Sequence, residues 1–229
     1  MFSKESFLEG ETILIDKPIG WTSFDVVKKI RGTIKNRYGI KKIKVGHAGT
    51  LDPLATGLLV ICIGKHTKKI QQYIDQKKKY TGVFLLGKTT PSYDLETAFD
   101  NEFLTKNIDV AQLELIKKQF IGKQQQIPPV FSAKKINGVR AYEFARKGEK
   151  IEVKKSEIEI FDFEINCELF PEISFSITCS KGTYIRSIVS DFGKKINNGA
   201  TLIKLRREAS GEHNILQAKS VEDFISSIS

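Results

Sequence analysis

Residues 45–64 read VGHAGTLDPLATGLLVICIG, and two side chains there can do chemistry: the carboxylate of Asp52 and the imidazole of His47. Gly46, Gly49 and Gly57 surround them with backbone free to take angles and close approaches that a side chain forbids. Pro53 fixes its own φ and pushes Asp52 towards an extended conformation, so a stiff dipeptide aims the carboxylate inside an otherwise permissive loop. A free aspartate titrates at about 3.9, so at neutral pH this one is ionised and can serve as a nucleophile or as a base. The competing local reading is structural. Asp-Pro also opens helices, with the aspartate as N-cap and the proline at the first helical position, and on these few residues alone that is the commoner case.

The elements that must hold this loop can be traced on both sides of it. Residues 12–16, TILID, read as a buried strand leading into a turn at 17–20. Ser23 is expected to cap a helix with Val26, Val27, Ile30 and Ile34 on one face, the lysines outside and Gly39 at its end. The apolar run 58–63 fits a buried strand or the core face of a short helix, which periodicity cannot separate. A helix at 68–74 and a strand at 80–90 ending at Gly87 follow.

Beyond these, 110–120 reads as a helix closed by Gly122. Pro128 and Pro129 keep their segment out of a central strand, Asn137-Gly138 marks a hairpin, and 141–147 fits a short helix ending at Gly148. Residues 157–168 and 173–179 alternate apolar and polar, with Phe161, Phe163, Ile165 and Cys167, then Ile173, Phe175, Ile177 and Cys179, facing in. Two successive alternating runs predict an antiparallel pair with one face on the core. A helix burying Ile185, Ile188, Val189 and Phe192, a strand at 201–206 and a terminal helix capped by Ser220 with Asp223 complete the expectation. The fold class is α/β in the α+β sense: a mixed, mainly antiparallel central sheet flanked by helices.

The 229 residues suffice for one sizeable domain, here 1–229 with an insertion at 123–155. At 40% hydrophobic and 28% charged the chain is a folded protein rather than a disordered one. No apolar run is long enough for a bilayer and no secretory h-region opens the sequence, so a cytoplasmic protein without a membrane partner is expected. Cys62, Cys167 and Cys179 read as reduced core residues, and His47, His66 and His213 lack metal-like spacing, so neither disulfide nor metal is expected. The net charge is +10, and it is concentrated. Residues 28–44 hold eight bases and no acid, and 123–155 hold nine bases against three acids, which leaves the remainder net acidic. That is the footprint of a surface for phosphates, with a merely solvated basic face as the bland alternative.

GHAGTLDPLATGLL resembles the signature of the TruB family of tRNA pseudouridine synthases, whose catalytic residue is the aspartate of the G-T-L-D-P run. Four more matches follow in family order: DKPIGWTSFDVV at 16–27, KKYTGVFLLGKTT at 78–90, IPPVFSAKKINGVRAYEFARKG at 127–148, and SKGTYIRSI with LRREASG at 180–211. Together they span nearly the whole chain. The resemblance implies the pseudouridine synthase fold and the isomerisation of uridine 55 in the tRNA T-loop, with no cofactor, by a monomer acting on the T-arm.

It further implies Asp52 as the catalytic residue and Tyr80 as the ring that stacks on the target base. Tyr184 and Leu205 contact that base, Arg186 pairs with Asp52, and His47 helps dislodge neighbouring bases. Asp94 supports the arginine, although its surroundings, PSYDLET, depart from the family's more acidic, glycine-containing pattern. Residues 123–155 match the thumb that packs on the RNA stem-loop, giving Lys134, Lys135, Arg140 and Arg146, with Lys17 of the first turn, as RNA-binding residues. The chain has no room for the C-terminal RNA-binding domain that many bacterial members carry, so weaker tRNA affinity is expected. A tRNA-binding or folding module without catalysis is the alternative. The presence of Asp52, Tyr80 and Arg186 argues against it.

Overall fold

The computed structural model describes residues 2–132, 135–136, 139–140, 144 and 153–228. The chain opens with α1 (Lys4–Glu9), β1 (Glu11–Lys17), α2 (Ser23–Tyr38), β2 (Val45–His47) and β3 (Ala55–Ile63). A 3-10 turn, Gly64–Lys69, leads to α3 (Ile70–Ile74) and β4 (Lys78–Leu86). Next come β5 (Lys88–Thr89), β6 (Asn101–Glu102), α4 (Val110–Lys118), β7 (Gly122–Gln126), β8 (Lys135–Ile136) and β9 (Val139–Arg140). The last part holds β10 (Ser156–Asn166), β11 (Glu172–Cys179), a helix Ile185–Lys195, β12 (Ala200–Ser210), β13 (His213–Asn214) and a helix Val221–Ser227. Two compact units result: Met1–Tyr80 with Leu205–Ser229, and Thr81–Lys204. Among the described residues no helix is long and apolar enough to cross a membrane.

In the first unit β3 is the central strand, and its run Leu58 to Ile63 is fully buried. The choice left open by periodicity is therefore a strand. One edge of β3 pairs antiparallel with β1 over its length, from Glu11 opposite Ile63 to Lys17 opposite Gly57. The other edge is divided. β2 takes Ile61 to Ile63 in antiparallel register, and β12 takes Ala55 to Gly57 in parallel register. The loop between β2 and β3 leaves the sheet where these two neighbours part.

Helix α2 lies on this sheet through Val26, Val27, Ile30 and Ile34, which join Ile13, Ile15, Leu59, Ile61, Ile63 and Phe224 in one apolar cluster. Burying each such side chain contributes about 1.5–3 kcal/mol. Its cap differs from expectation by one residue. Thr22 is the N-cap, in a reciprocal box with Asp25, and Ser23 is the first helical residue. Gly39 ends the helix in the left-handed conformation, at φ 61°. The expected helix at 68–74 is 3-10 up to Lys69 and α-helical only from Ile70.

In the second unit the strand order is β12, β4, β11, β10, β7. β10 pairs antiparallel with β11 and with β7. The alternation along β10 is broken by a register shift between Ile160 and Asp162, so Ile158 and Ile160 face the core before it and Phe163 after it. Phe161, expected to face in with Phe163, is only partly buried for that reason. Phe84, Phe120, Phe163, Phe175 and Phe192 form an aromatic core with ring centroids 5.2–6.3 Å apart. In the 123–155 insertion, β8 and β9 pair antiparallel with Lys135 opposite Arg140 and Ile136 opposite Val139, while the expected turn at Asn137-Gly138 lies outside the described residues. Of the expected helix at 141–147 only residue 144 is described, and Lys134 and Arg146 lie outside the described residues, as do the side chains of Lys135 and Arg140.

Candidate active site

Asp52 begins no helix. Its carbonyl accepts from the Ala55 N–H at 3.0 Å, closing a tight turn over Pro53 and Leu54 that feeds directly into β3. The N-cap reading of Asp-Pro is removed by this turn, and the side chain of Asp52 is left half-buried at the sheet's edge.

The loop around it is tied down on every side. On the N-terminal side, Ser23 Oγ accepts from the Leu51 N–H at 2.8 Å and donates to the Leu51 carbonyl at 3.1 Å. The hydroxyl that does not cap α2 therefore fixes the residue before Asp52. On the C-terminal side, the Pro53 carbonyl accepts from the Gly20 N–H at 2.8 Å. Lys17 Nζ donates to the carbonyls of Trp21 at 2.6 Å, Pro18 at 2.9 Å and Pro53 at 3.4 Å.

Lys17 had been expected to bind RNA; instead its side chain is fully buried, with its ammonium turned onto backbone carbonyls. Burial pulls its pKa down to about 8, against the opposing pull of the nearby Asp52 charge. A lysine so enclosed cannot reach a phosphate. It joins the 18–21 turn to the Asp52 loop.

A residue that sequence reasoning missed completes the arrangement. Arg207 on β12 is 1% exposed, and its Nε donates to Leu58 O at 2.7 Å while a terminal nitrogen donates to Gly49 O at 3.0 Å. One guanidinium thus spans both ends of the loop. Gly57 makes this possible: at φ 102°, a Cβ there would lie 2.4 Å from the Arg207 carbonyl. Nothing in KLRRE marks Arg207 as the buried one of two adjacent arginines.

His47 ends β2 and is partly buried, with Nδ1 enclosed. Burial first, and the Arg207 charge second, hold its pKa below the ordinary imidazole value. Leu205 lies opposite Ala55, three residues after Asp52, and Tyr80 is a buried residue of β4. The first unit therefore gathers His47, Lys17, Leu205 and Arg207 along the loop that carries Asp52.

Asp94, Tyr184 and Arg186 belong to the second unit. Arg186 is no surface arginine, being 3% exposed; its Nε lies 3.5 Å from Asp94 Oδ2, and a terminal nitrogen donates to Ser92 O at 3.2 Å. The Asp94 loop is braced internally. Thr90 Oγ1 and Ser92 Oγ both donate to the Asp94 carbonyl, and the Glu96 N–H donates to Asp94 Oδ1. Tyr184 is the N-cap residue of the helix Ile185–Lys195 but supplies no side-chain cap. Gln126 holds its backbone instead, its Oε1 accepting from the Tyr184 N–H at 2.8 Å and its Nε2 donating to the Tyr184 carbonyl at 3.0 Å. Sequence reasoning missed Gln126 too, since nothing in GKQQQ distinguishes one glutamine from the next.

The first unit thus presents Asp52 from a loop held by a hydroxyl and two buried cations. The chain's relatives are specific. A family model described as TruB family pseudouridylate synthase (N terminal domain) matches residues 35–185. The tRNA pseudouridine synthase B of Flavobacterium johnsoniae is 51% identical over 225 residues, covering 98% of each chain. That of Phocaeicola vulgatus is 49% identical, covering 96% of this chain and 93% of that protein. The chain belongs to the TruB family of pseudouridylate synthases.

Two solved structures share its fold at low identity. One is the crystal structure of a Cbf5-Nop10-Gar1 complex, with TM-score 0.73, 23% identity and 97% of this chain covered. The other is that of the archaeal box H/ACA sRNP Nop10-Cbf5 complex, with TM-score 0.68, 22% identity and again 97% covered. The chain spans about 55% of the length of those solved chains.

Proposed function

We propose that this protein isomerises uridine to pseudouridine in tRNA, at position 55 of the T-loop, acting in the cytoplasm as a monomer on the T-arm. The observation that carries the reading is the Asp52 loop, a half-exposed carboxylate on a backbone fixed from both sides, in a chain about half identical over its whole length to proteins named tRNA pseudouridine synthase B.

The reaction breaks the C–N glycosidic bond, turns the base and rejoins it to the sugar through carbon, with no net change in composition or oxidation level. Asp52 serves as the nucleophile or as the base in the sugar-proton steps. A base in folded RNA must first be extruded, at a cost of a few kcal/mol. Stacking on Tyr80, apolar and aromatic contact from Leu205 and Tyr184, and displacement of neighbouring bases by His47 are the compensations this reading assigns. The Arg186–Asp94 pair belongs to the same reading. So do the basic residues of the insertion, which would hold phosphates.

The test is chemical mapping of pseudouridine in unmodified tRNA after incubation with wild-type protein and with Asp52→Asn. Product at the T-loop uridine from the wild type alone is expected, with tRNA binding retained by the variant. A fully active Asp52→Asn would refute the catalytic role. Binding without product from either protein would favour the non-catalytic RNA-binding module.

A further inference from the structure

Helix α2 turns its apolar face to the sheet, and its opposite face borders a groove of about 620 Å³ that the Asp52 loop does not use. Trp21, Asp25, Lys28, Lys29, Gly32 and Asn36 line it, at the spacing of one helical face. Lys28 and Lys29 are exposed, and they begin the stretch 28–44, which holds eight bases and no acid. Asp25 faces the same groove, but its carboxylate is engaged by the Thr22 N–H and hydroxyl at 2.9 and 2.6 Å. The groove therefore offers a net positive wall.

Two further details suit it to a ligand. Gly32 sits mid-helix, where glycine is unfavourable, yet a Cβ there would meet nothing within 4 Å and the residue has no positive φ. Neither packing nor a turn asks for glycine. Its effect is an open groove floor with reachable backbone. Trp21 packs partly against the core cluster and lines the groove with the rest of its ring. Its carbonyl accepts from Lys17 Nζ, which also donates to Pro53 O, so the turn that carries Trp21 is tied to the Asp52 loop.

We propose that this groove is a second RNA-contact site, which takes a stretch of the substrate strand outside the target loop. Phosphates lie on Lys28 and Lys29, and one base lies against Trp21 over Gly32. An ammonium pair supplies point charges for a backbone, and an aromatic face accepts any base, so the contact adds affinity without reading sequence. The proposal rests on the reading that the protein acts on tRNA.

Trp21 is the single tryptophan of the chain, so intrinsic fluorescence of the whole protein reports on the groove. Titration with unmodified tRNA at 50 and 200 mM salt is expected to quench it as binding saturates. Lys28→Gln/Lys29→Gln should lower the slope of log affinity against log salt by about 1.4–1.8, since each phosphate contact contributes roughly 0.7–0.9. Between those two salt concentrations the wild type then loses about tenfold more affinity than the variant. Lys106→Gln/Lys118→Gln removes the same charge from exposed positions elsewhere and should leave the slope alone.

An unquenched Trp21 alongside product formation would overturn the groove and leave the proposed function standing. Equal slopes for the two double variants would also overturn it, because bulk charge would then be the cause. Quenching by uridine monophosphate at the concentrations at which tRNA acts would make this a small-nucleotide site instead. Quenching and salt response by tRNA without any pseudouridine product would keep the groove and remove the function.

Discussion

Ser23→Ala isolates the bond that fixes the residue before Asp52. Alanine is a better helix former than serine, and Ser23 is the first residue of α2 rather than its cap, so the helix itself loses nothing. What is lost is the pair of hydrogen bonds to Leu51, which is itself 3% exposed. Leaving that buried N–H without a partner costs about 1–3 kcal/mol. For a chain of this length each kcal/mol lowers Tm by roughly 2–4 °C.

Under the catalytic role proposed for Asp52, an effect on rate follows from adjacency. A carboxylate displaced by about 1 Å from its working position loses on the order of 100-fold in rate. A fall of 10- to 100-fold in single-turnover pseudouridine formation is therefore expected, equivalent to about 1.4–2.7 kcal/mol in the barrier. Thr22→Ala is the matched comparison. It removes a true N-cap, whose hydroxyl accepts from the Asp25 N–H at 3.0 Å, and should cost about 1 kcal/mol of stability. Its side-chain hydrogen bonds stay within the cap, to Asp25, so its single-turnover rate should stay near wild type. Urea unfolding and rapid-quench assays on both variants decide the matter. A wild-type rate for Ser23→Ala, or an equal loss of rate for Thr22→Ala, would refute the positioning argument.

Two further outcomes are expected. Asp94→Ala strips the buried Arg186 guanidinium of the carboxylate beside it, which costs about 3–5 kcal/mol for a buried pair; urea unfolding that showed less than about 1 kcal/mol would contradict the role given to this pair. His47 has a folded-state pKa below its unfolded value, so the unfolded chain takes up the proton first. The stability it contributes is whole above pH of about 6.5 and declines as pH falls from there through the lowered folded value. His47→Gln should flatten that acid limb when unfolding free energies at pH 7.5 and 5.5 are compared, and an unchanged limb would place the proton elsewhere.

Much of the fold was legible because its apolar spacing was clean. The face of α2, the alternation of β11 and the caps at Gly39 and Ser220 all stand where hydrophobic period and turn chemistry put them. What escaped had another cause in each case. β7 is GKQQQ, with no apolar alternation, and is a strand because its backbone pairs with β10 from Gly122 to Gln126. The bulge at 160–162 switches the inward face of β10, and no residue type announces a switch of phase. In the first unit, Asp52 could be singled out from Gly49, Pro53 and Gly57, and Gly49 and Gly57 do take positive φ, at 97° and 102°. Its supports could not. Ser23, Lys17 and Arg207 act through side-chain bonds to backbone carbonyls and N–H groups far away in sequence, and such bonds leave no periodic trace.

The two buried cations follow from the loop's own construction. A glycine-rich turn that leaves the sheet between two neighbouring strands points several carbonyls inward with no ladder partner, and each must find a donor. At one end three converge, from Pro18, Trp21 and Pro53, and an ammonium carries the three N–H groups that no neutral side chain has. At the other end the acceptors Gly49 and Leu58 stand on opposite limbs of the loop, which suits the fixed fork of a guanidinium. Burying these charges is costly, as the lowered pKa of Lys17 records, and an apolar filler would avoid that cost while leaving the carbonyls unsatisfied. The nearby Asp52 carboxylate favours the ammonium in return, so the lysine that closes one end of the loop also places positive charge beside Asp52.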